Sequence, residues 1–314
     1  MVCLHTTLCP RDGRTEGMAQ TPEPAAPTQR DEHPRQTPSL QDVLDVVEDL
    51  WPAGLAEDWD SVGLVAGRRD APVRSIHFAV DPVQAVVEEA CTAQADLLIT
   101  HHPLLLRPVH SVEAGTFKGE VVHRLIESGC ALLTAHTNGD SAVGGVNDVL
   151  AEILGLEDVR PLQQAPDGLG EEGLGRIGTL PQGTTLGDFA TTVFSILPAV
   201  AGGVRVAGDR EAFVQRVALC GGAGDSLLSK AREVEADVFL TADLRHHPAS
   251  EAREAVLDGR PYLIDVSHFA SEWLWLPAAA QALDRALSDR GFTVDVAVSG
   301  INTDPWDFVI TPGR

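Results

Sequence analysis

The segment Ala95-Asp-Leu-Leu-Ile-Thr-His-His-Pro103 constrains the fold more than any other stretch of this chain. Leu97 to Thr100 has the length and apolar content of a short buried strand, and Pro103 stops any regular continuation. His101 and His102 are therefore delivered at a strand end, where open α/β sheets place their ligands. Neighbouring side chains on an extended strand point to opposite faces. At a strand end the backbone is free to turn, so both imidazoles can reach one region or two neighbouring metal ions. Taken alone, the pair is equally compatible with a surface His-His dipeptide.

The chain then echoes itself. Arg74 to Val80, a helix and Ala95 to Pro103 form one unit. Arg216 to Gly222, a helix from about Asp225, Ala236-Asp-Val-Phe-Leu-Thr241 and His246-His247-Pro248 form the other, with Ala242 to Arg245 inserted before the second pair. The echo extends to Ala131-Leu-Leu-Thr-Ala-His136, which ends in His136-x3-Asp140, and to Tyr262-Leu-Ile-Asp-Val-Ser-His268, which ends in His268-x3-Glu272. Matching strand ends that carry histidine and carboxylate imply an α/β fold of two similar lobes related by a pseudo-two-fold, with a metal site in the cleft between them. The match is short, and coincidence is the competing explanation.

Residues 1–38 contain six prolines among polar neighbours, with little apolar periodicity, and read as a disordered tail. Met18 is an alternative start to Met1. Order begins at Ser39, an N-cap with Asp42 three residues on, followed by Leu40, Val43, Leu44, Val47 and Leu50 at helical spacing. Trp59 to Gly67 is a glycine-punctuated strand and turn without a G-x-G-x-x-G signature. Asp81-Pro82 is expected to cap a helix. Gln163 to Gly175 reads as a loop, Gly178 to Gly203 as strand, turn and a helix over about 186–197, and Trp273 to Asp289 as a helix interrupted by Pro277. Phe292 to Ser299 reads as a closing strand and Thr303 to Trp306 as a turn. The expected organisation is a tail (1–38), a first α/β lobe (39–160) and a second lobe (161–314) that completes the site.

Bulk properties exclude several classes. A net charge of −23 opposes nucleic-acid binding by phosphate neutralisation. The five cysteines (Cys3, Cys9, Cys91, Cys130, Cys220) are scattered, with no Cys-x-x-Cys, which fits a reducing compartment and not a disulfide frame or thiolate zinc site. No apolar run approaches the roughly 20 residues of a membrane span, and Met1 to Leu8 lacks a signal-peptide pattern. The expected location is the cytoplasm.

The strand-end candidates are His101, His102, His136, Asp140, His246, His247, His268 and Glu272. Imidazole and carboxylate without thiolate suit zinc, manganese, iron and similar divalent ions. His268 and Glu272 share one face of a helix that starts there, and a carboxylate such as Glu272 can bridge two ions that together activate water. Each candidate has a plain alternative. His268-x3-Glu272 can be a helix surface pair, Asp140 a cap for the helix near Val146, and His246-His247 a solvated loop. His77, His110 and His123 read as structural.

Trp59-Asp-Ser-Val-Gly-Leu64, Thr100-His-His-Pro103, His136-Thr-Asn-Gly-Asp140 with Gly145-Val-Asn-Asp148, Thr241-Ala-Asp-Leu-Arg-His246 and His268-Phe-Ala-Ser-Glu272 resemble the Nif-three-like family. Its members are dinuclear-metal-centre hexameric proteins, often labelled GTP cyclohydrolase 1 type 2 homologues. The resemblance covers about Ser39 to Trp306. It implies metal ligands His101, His102, Asp140, His268 and Glu272, with Glu272 bridging two divalent ions (zinc, iron or manganese) per chain. It also implies a toroidal homohexamer. His136 and His246 match family histidines near the metals and are candidates for substrate contact or proton transfer. Ala242 stands where the family usually has Gly, and Phe269 where Tyr is common, which removes a phenol beside the ligands. The long inserted domain of some members is absent.

Two functions follow as expectations. One is a metal-dependent hydrolase of a nucleotide-like or phosphate-bearing small molecule, for which the family label names GTP and ring opening with formate release. The other is a hexameric metal-binding scaffold or regulator with little turnover.

Overall fold

The computed structural model describes residues 36–166, 168, 170–255 and 259–311. The tail expected to be disordered lies outside the described residues as far as residue 35. Its last residues do not belong to a tail: Gln36 N donates to Gly291 O (3.1 Å) and Gln36 O accepts from Thr293 N (3.1 Å).

Helix α1 (Leu40–Leu50) starts where the sequence signals it. Ser39 Oγ accepts from Asp42 N, and the Asp42 carboxylate returns to Ser39 N, a reciprocal capping box. Strands β1 (Gly63–Ala66) and β2 (Ser75–Ala79), helix α2 (Gln84–Thr92), strand β3 (Leu97–Thr100), helix α3 (Phe117–Ser128) and strand β4 (Ala131–Thr134) follow. Two short helices, α4 (Thr137–Ser141) and α5 (Val146–Ile153), close this half. The strands of β3 and β4 are buried at every position. Burial on both faces of a parallel sheet explains why they read as continuous apolar runs and do not alternate. Each fully buried Leu or Ile there contributes about 1.5–3 kcal/mol.

The second half comprises β5 (Glu157–Gln164), β6 (Gly173–Thr185), α6 (Leu186–Ile196), β7 (Arg205–Ala207), β8 (Phe213–Ala223), α7 (Leu228–Glu233), β9 (Val238–Ala242), α8 (His246–Glu254), β10 (Tyr262–Val266) and α9 (His268–Trp273). Helix α10 (Leu276–Asp289) and strand β11 (Asp295–Val298) are the last elements among the described residues. The expected loop over Gln163 to Gly175 is the tip of an antiparallel hairpin: its ends pair, Gln163 opposite Leu174 and Gln164 opposite Gly173, and the described residues between β5 and β6 form no strand. β5 itself lies at a sheet edge and is largely exposed. β6 continues to Thr185, which caps α6 through Asp188 N, and its register with β8 shifts between Thr179 and Thr184, between the expected strand and the expected helix.

Among the described residues two sheets result, ordered β1-β4-β3-β2-β11 and β5-β6-β8-β9-β10-β7. β2, β3 and β4 are mutually parallel neighbours, as are β8, β9 and β10. The echo reaches the backbone. Gln94 and Glu235 both adopt positive φ (56° and 55°) just before β3 and β9. Asp96 Oδ2 accepts from Arg74 N and Ser75 N, and Asp237 Oδ2 accepts from Gln215 N and Arg216 N. The Ala-Asp dipeptides of the two units therefore perform the same task, tying one strand start to the next. The division at 160/161 separates the sequence but not the sheets. β11 pairs with β2, and α10 residues Ala279, Leu283 and Leu287 join Leu40, Val43 and Trp51 in the core of the first sheet.

Candidate metal centre

The register sets the site. Thr100 pairs with Thr134 across β3 and β4, so the residues after each strand emerge side by side. The ladder continues past β3, because His101 N donates to Ala79 O and His102 N to Val80 O. In the second sheet Val266 pairs with Ala242, and α9 begins two residues later, capped by Ser267 Oγ on Ala270 N. The carboxyl ends of both parallel strand sets thus supply the cluster.

His101 is 1% exposed and Glu272 2% exposed. Glu272 Oε1 lies 3.4 Å from His101 Nε2 and 2.8 Å from His268 Nε2, and its Oε2 lies 3.0 Å from His102 Nε2. Asp140, brought in by one turn of α4 after His136, has Oδ1 at 3.7 Å from His101 Nε2. The rings of His101 and His102 are 5.1 Å apart and tilted by 47°, so adjacent residues do reach one region. His136 packs edge-on against both, at 5.2 and 5.5 Å. The donor atoms form two groups: His101, His102 and His136, and His102, His268 and Glu272.

Every imidazole in the cluster is held by its Nδ1. Ala135 O accepts from His101 Nδ1 (2.9 Å). Carboxylates of Asp81, Asp60 and Asp243 accept from His102 (2.7 Å), His136 (2.9 Å) and His268 (2.7 Å). A carbonyl or carboxylate can only accept, so the Nδ1 proton is assigned and each Nε2 is turned to the cluster. Sequence reasoning missed these three aspartates. Asp81 was expected to cap a helix, yet α2 starts at Gln84 with no side-chain cap, because the Asp81 carboxylate is committed to His102. Asp60 and Asp243 lay within the quoted motifs, and only the fold shows what they hold. Gly222 was likewise passed over: it has φ +65°, and a Cβ there would sit 2.3 Å from Glu272 Oε1 and 3.1 Å from His268 Nε2.

Charges are poised accordingly. Burial alone would lower the His102 and His268 pKa values, but Glu272 with Asp81 or Asp243 outweighs it, and they rise to about 10 and about 11. Burial would raise Glu272, yet the charges of His102, His268 and His101 hold it well below the usual carboxylate range. Burial dominates at Asp140 and raises it. At Asp60 burial is opposed by hydrogen bonds from His136 and Thr137, which hold the carboxyl far down.

The residues fit a divalent cation. His101 Nε2 and Asp140 Oδ1 are buried without a hydrogen-bond partner, and Glu272 Oε2 has the His102 imidazole at 3.0 Å. Leaving such groups unsatisfied is costly, and a cation satisfies them. His102 Nε2 and His268 Nε2 face each other at 3.2 Å across the same Glu272 carboxylate. Asp140 is not the cap of α5, whose N-cap is Gly145, and Glu272 is buried, not a surface partner of His268. His246 is not brought to the cluster. It begins α8 with an exposed side chain and contacts the ring of His247 at 5.3 Å. The four-residue insertion before the second His pair carries it past the strand end, and Asp243 takes the strand-end place instead.

A cleft of about 1090 Å³ opens over the cluster, lined by His102, His136, Asp140, His268 and Glu272 and by the C-terminal residues Thr303 to Trp306. Among the described residues no helix is long and apolar enough to cross a membrane, and Cys91, Cys130 and Cys220 are free.

A sequence profile of the Duf34/NIF3 (NGG1p interacting factor 3) family matches residues 38–305. A Streptomyces coelicolor protein named GTP cyclohydrolase 1 type 2 homolog is 49% identical, covering 86% of this chain and 94% of its own. One of the same name from Mycobacterium tuberculosis is 35% identical over 380 aligned positions, covering 88% of this chain and 98% of its own. That alignment is longer than this 314-residue chain, so the mycobacterial protein carries inserted sequence absent here. The structure of a Bacillus cereus protein related to NIF3 superposes with a TM-score of 0.80 at 26% identity, covering 87% of this chain and 100% of the other.

Proposed function

This chain belongs to the Duf34/NIF3 family, and from that premise we propose that its strand-end cluster is a dinuclear divalent-metal centre of a cytoplasmic hydrolase. The reading is carried by one observation: His101 Nε2 and Asp140 Oδ1 are buried acceptors with no hydrogen-bond partner, beside a buried Glu272 carboxylate ringed by imidazole nitrogens. His101, His102, Asp140, His268 and Glu272 would hold the ions. Zinc, iron and manganese all suit this donor set. Such ions would supply Lewis acidity for hydrolysis.

The chain's own groups do the remaining work. Asp81 and Asp243 orient the ligand imidazoles, which sharpens their geometry and raises their basicity. His136, fixed by Asp60 through Nδ1, keeps Nε2 free beside the cluster to take up or deliver a proton. The substrate class is a nucleotide-like or phosphate-bearing small molecule, and the relatives' name makes GTP the first to test. The assembly proposed is a toroidal homohexamer.

The experiment is metal content per chain for wild type and Glu272→Ala, followed by formate release from GTP on the same samples. About two ions per chain, lost in the variant together with formate release, supports a dinuclear cyclohydrolase. Two ions without formate moves the function to another phosphate-bearing substrate or to a metal-binding scaffold. Wild-type protein that binds no metal after reloading overturns the reading.

A further inference from the structure

Beyond α10 and β11 the chain crosses back over the cleft, and two adjacent residues there reach into both halves of the cluster's support. Thr303 Oγ1 donates to Asp81 Oδ2, while the other oxygen of Asp81 accepts from His102 Nδ1 at 2.7 Å. Asp304 Oδ2 accepts from Ser267 Oγ, the same hydroxyl that caps α9 by accepting from Ala270 N at 3.2 Å. Asp81 follows β2 of the first sheet, and Ser267 follows β10 of the second.

We propose that Thr303 and Asp304 are positioning residues that clamp the two halves of the metal centre in register, a role that rests on the metal-centre reading above. Each carboxylate oxygen of Asp81 has a separate task. With Oδ2 held by Thr303, the carboxylate cannot rotate, and His102 Nε2 keeps one direction. Asp304 does the same for the helix that carries His268 and Glu272, because it fixes the direction in which Ser267 sends its proton and leaves the oxygen lone pairs for the cap.

The segment is itself braced. Ser299 N donates to Phe78 O at 2.7 Å, and Ile301 N to Ser299 Oγ at 3.2 Å. Asn302 Nδ2 donates to Ala199 O at 3.1 Å. Asp304 N donates to Asn302 Oδ1 at 2.9 Å, and Trp306 N to Asp304 Oδ1 at 3.0 Å. A clamp works only if it is stiffer than what it holds, and these bonds tie it to β2 and to the segment after α6. Support of this kind around metal ligands changes affinity by roughly 10–100-fold when removed, and one bond further out the lower end applies.

The test compares full-length wild type with Thr303→Val, Thr303→Ser, Asp304→Ala and Asp304→Asn. Zinc affinity is measured by chelator competition, ligand geometry from the absorption bands of the cobalt-loaded protein, and the His102 ring from its imidazole nitrogen resonances without metal. Thr303→Val is expected to weaken zinc about tenfold, to alter the cobalt bands and to shift the His102 resonances, with Thr303→Ser restoring all three. Asp304→Ala is expected to act alike on affinity, with Asp304→Asn, which keeps an acceptor oxygen, close to wild type. Thr303→Val with unchanged affinity and unchanged His102 resonances overturns the clamp. If wild type itself binds no zinc, the metal reading fails, and the His102 resonances of Thr303→Val still decide whether the clamp holds the ring.

Discussion

Glu272 touches three imidazoles and Gly222 is what lets it do so, which makes these two residues the most exacting in the chain. Gly222→Ala would place a methyl 2.3 Å from Glu272 Oε1. The variant is expected to lose bound metal, measured as ions per chain, and about 1–2 kcal/mol of stability for a side chain in the left-handed region. The raised pKa values of His102 and His268 set a pH dependence. A histidine raised in the folded state contributes stability that is complete below the ordinary value of 6.5 and lost as pH climbs through the folded value. Metal-free protein is therefore expected to lose stability from about pH 6.5 towards the folded values of about 10 and about 11, read as a falling urea midpoint. Metal binding at neutral pH must displace the same protons, so roughly two should be released per chain, detectable with an indicator dye in weak buffer.

At the scale of elements, some signals were fully local. Ser39 and Asp42 announce α1, and Ser39→Ala is expected to cost about 1 kcal/mol in chemical denaturation. The apolar runs of β3, β4, β9 and β10 were legible because strands buried on both faces carry little else. Asp81-Pro82 misled for a physical reason: a carboxylate that looks like a helix cap found a stronger partner in His102, distant by 21 residues. His246-His247 misled similarly. Its dipeptide echoes His101-His102, but four intervening residues put it on a helix, where the pair is exposed. The polar stretch before β6 was legible as a loop because Gly and acidic residues suit a hairpin tip, and only its ends were taken into β5 and β6.

At the scale of the whole molecule, contacts between distant segments decide integrity. Arg176 on β6 is 1% exposed and donates to Asp148 of α5, to Gly173 O and Gly175 O, and to Ala142 O. Arg176→Met removes the charge that Asp148 and three carbonyls share, and is expected to cost about 3 kcal/mol by urea unfolding. The proposed hexamer predicts a mass in solution about six times the 33.4 kDa chain by light scattering, and a monomer or dimer would remove that assembly.

The sequence alone determined which residue types this protein can bring to chemistry, the strand ends that carry His101, His102, His136, Asp140, His268 and Glu272, and the internal echo, because strand burial, caps and spacing are local properties. Only the tertiary structure decided that Asp60, Asp81 and Asp243 aim the imidazoles, that Gly222 makes room for Glu272, that β11 joins the first sheet, and that His246 stays outside the cluster. Those are pairings between segments far apart in the chain, and no local pattern carries the distance at which two side chains finally meet.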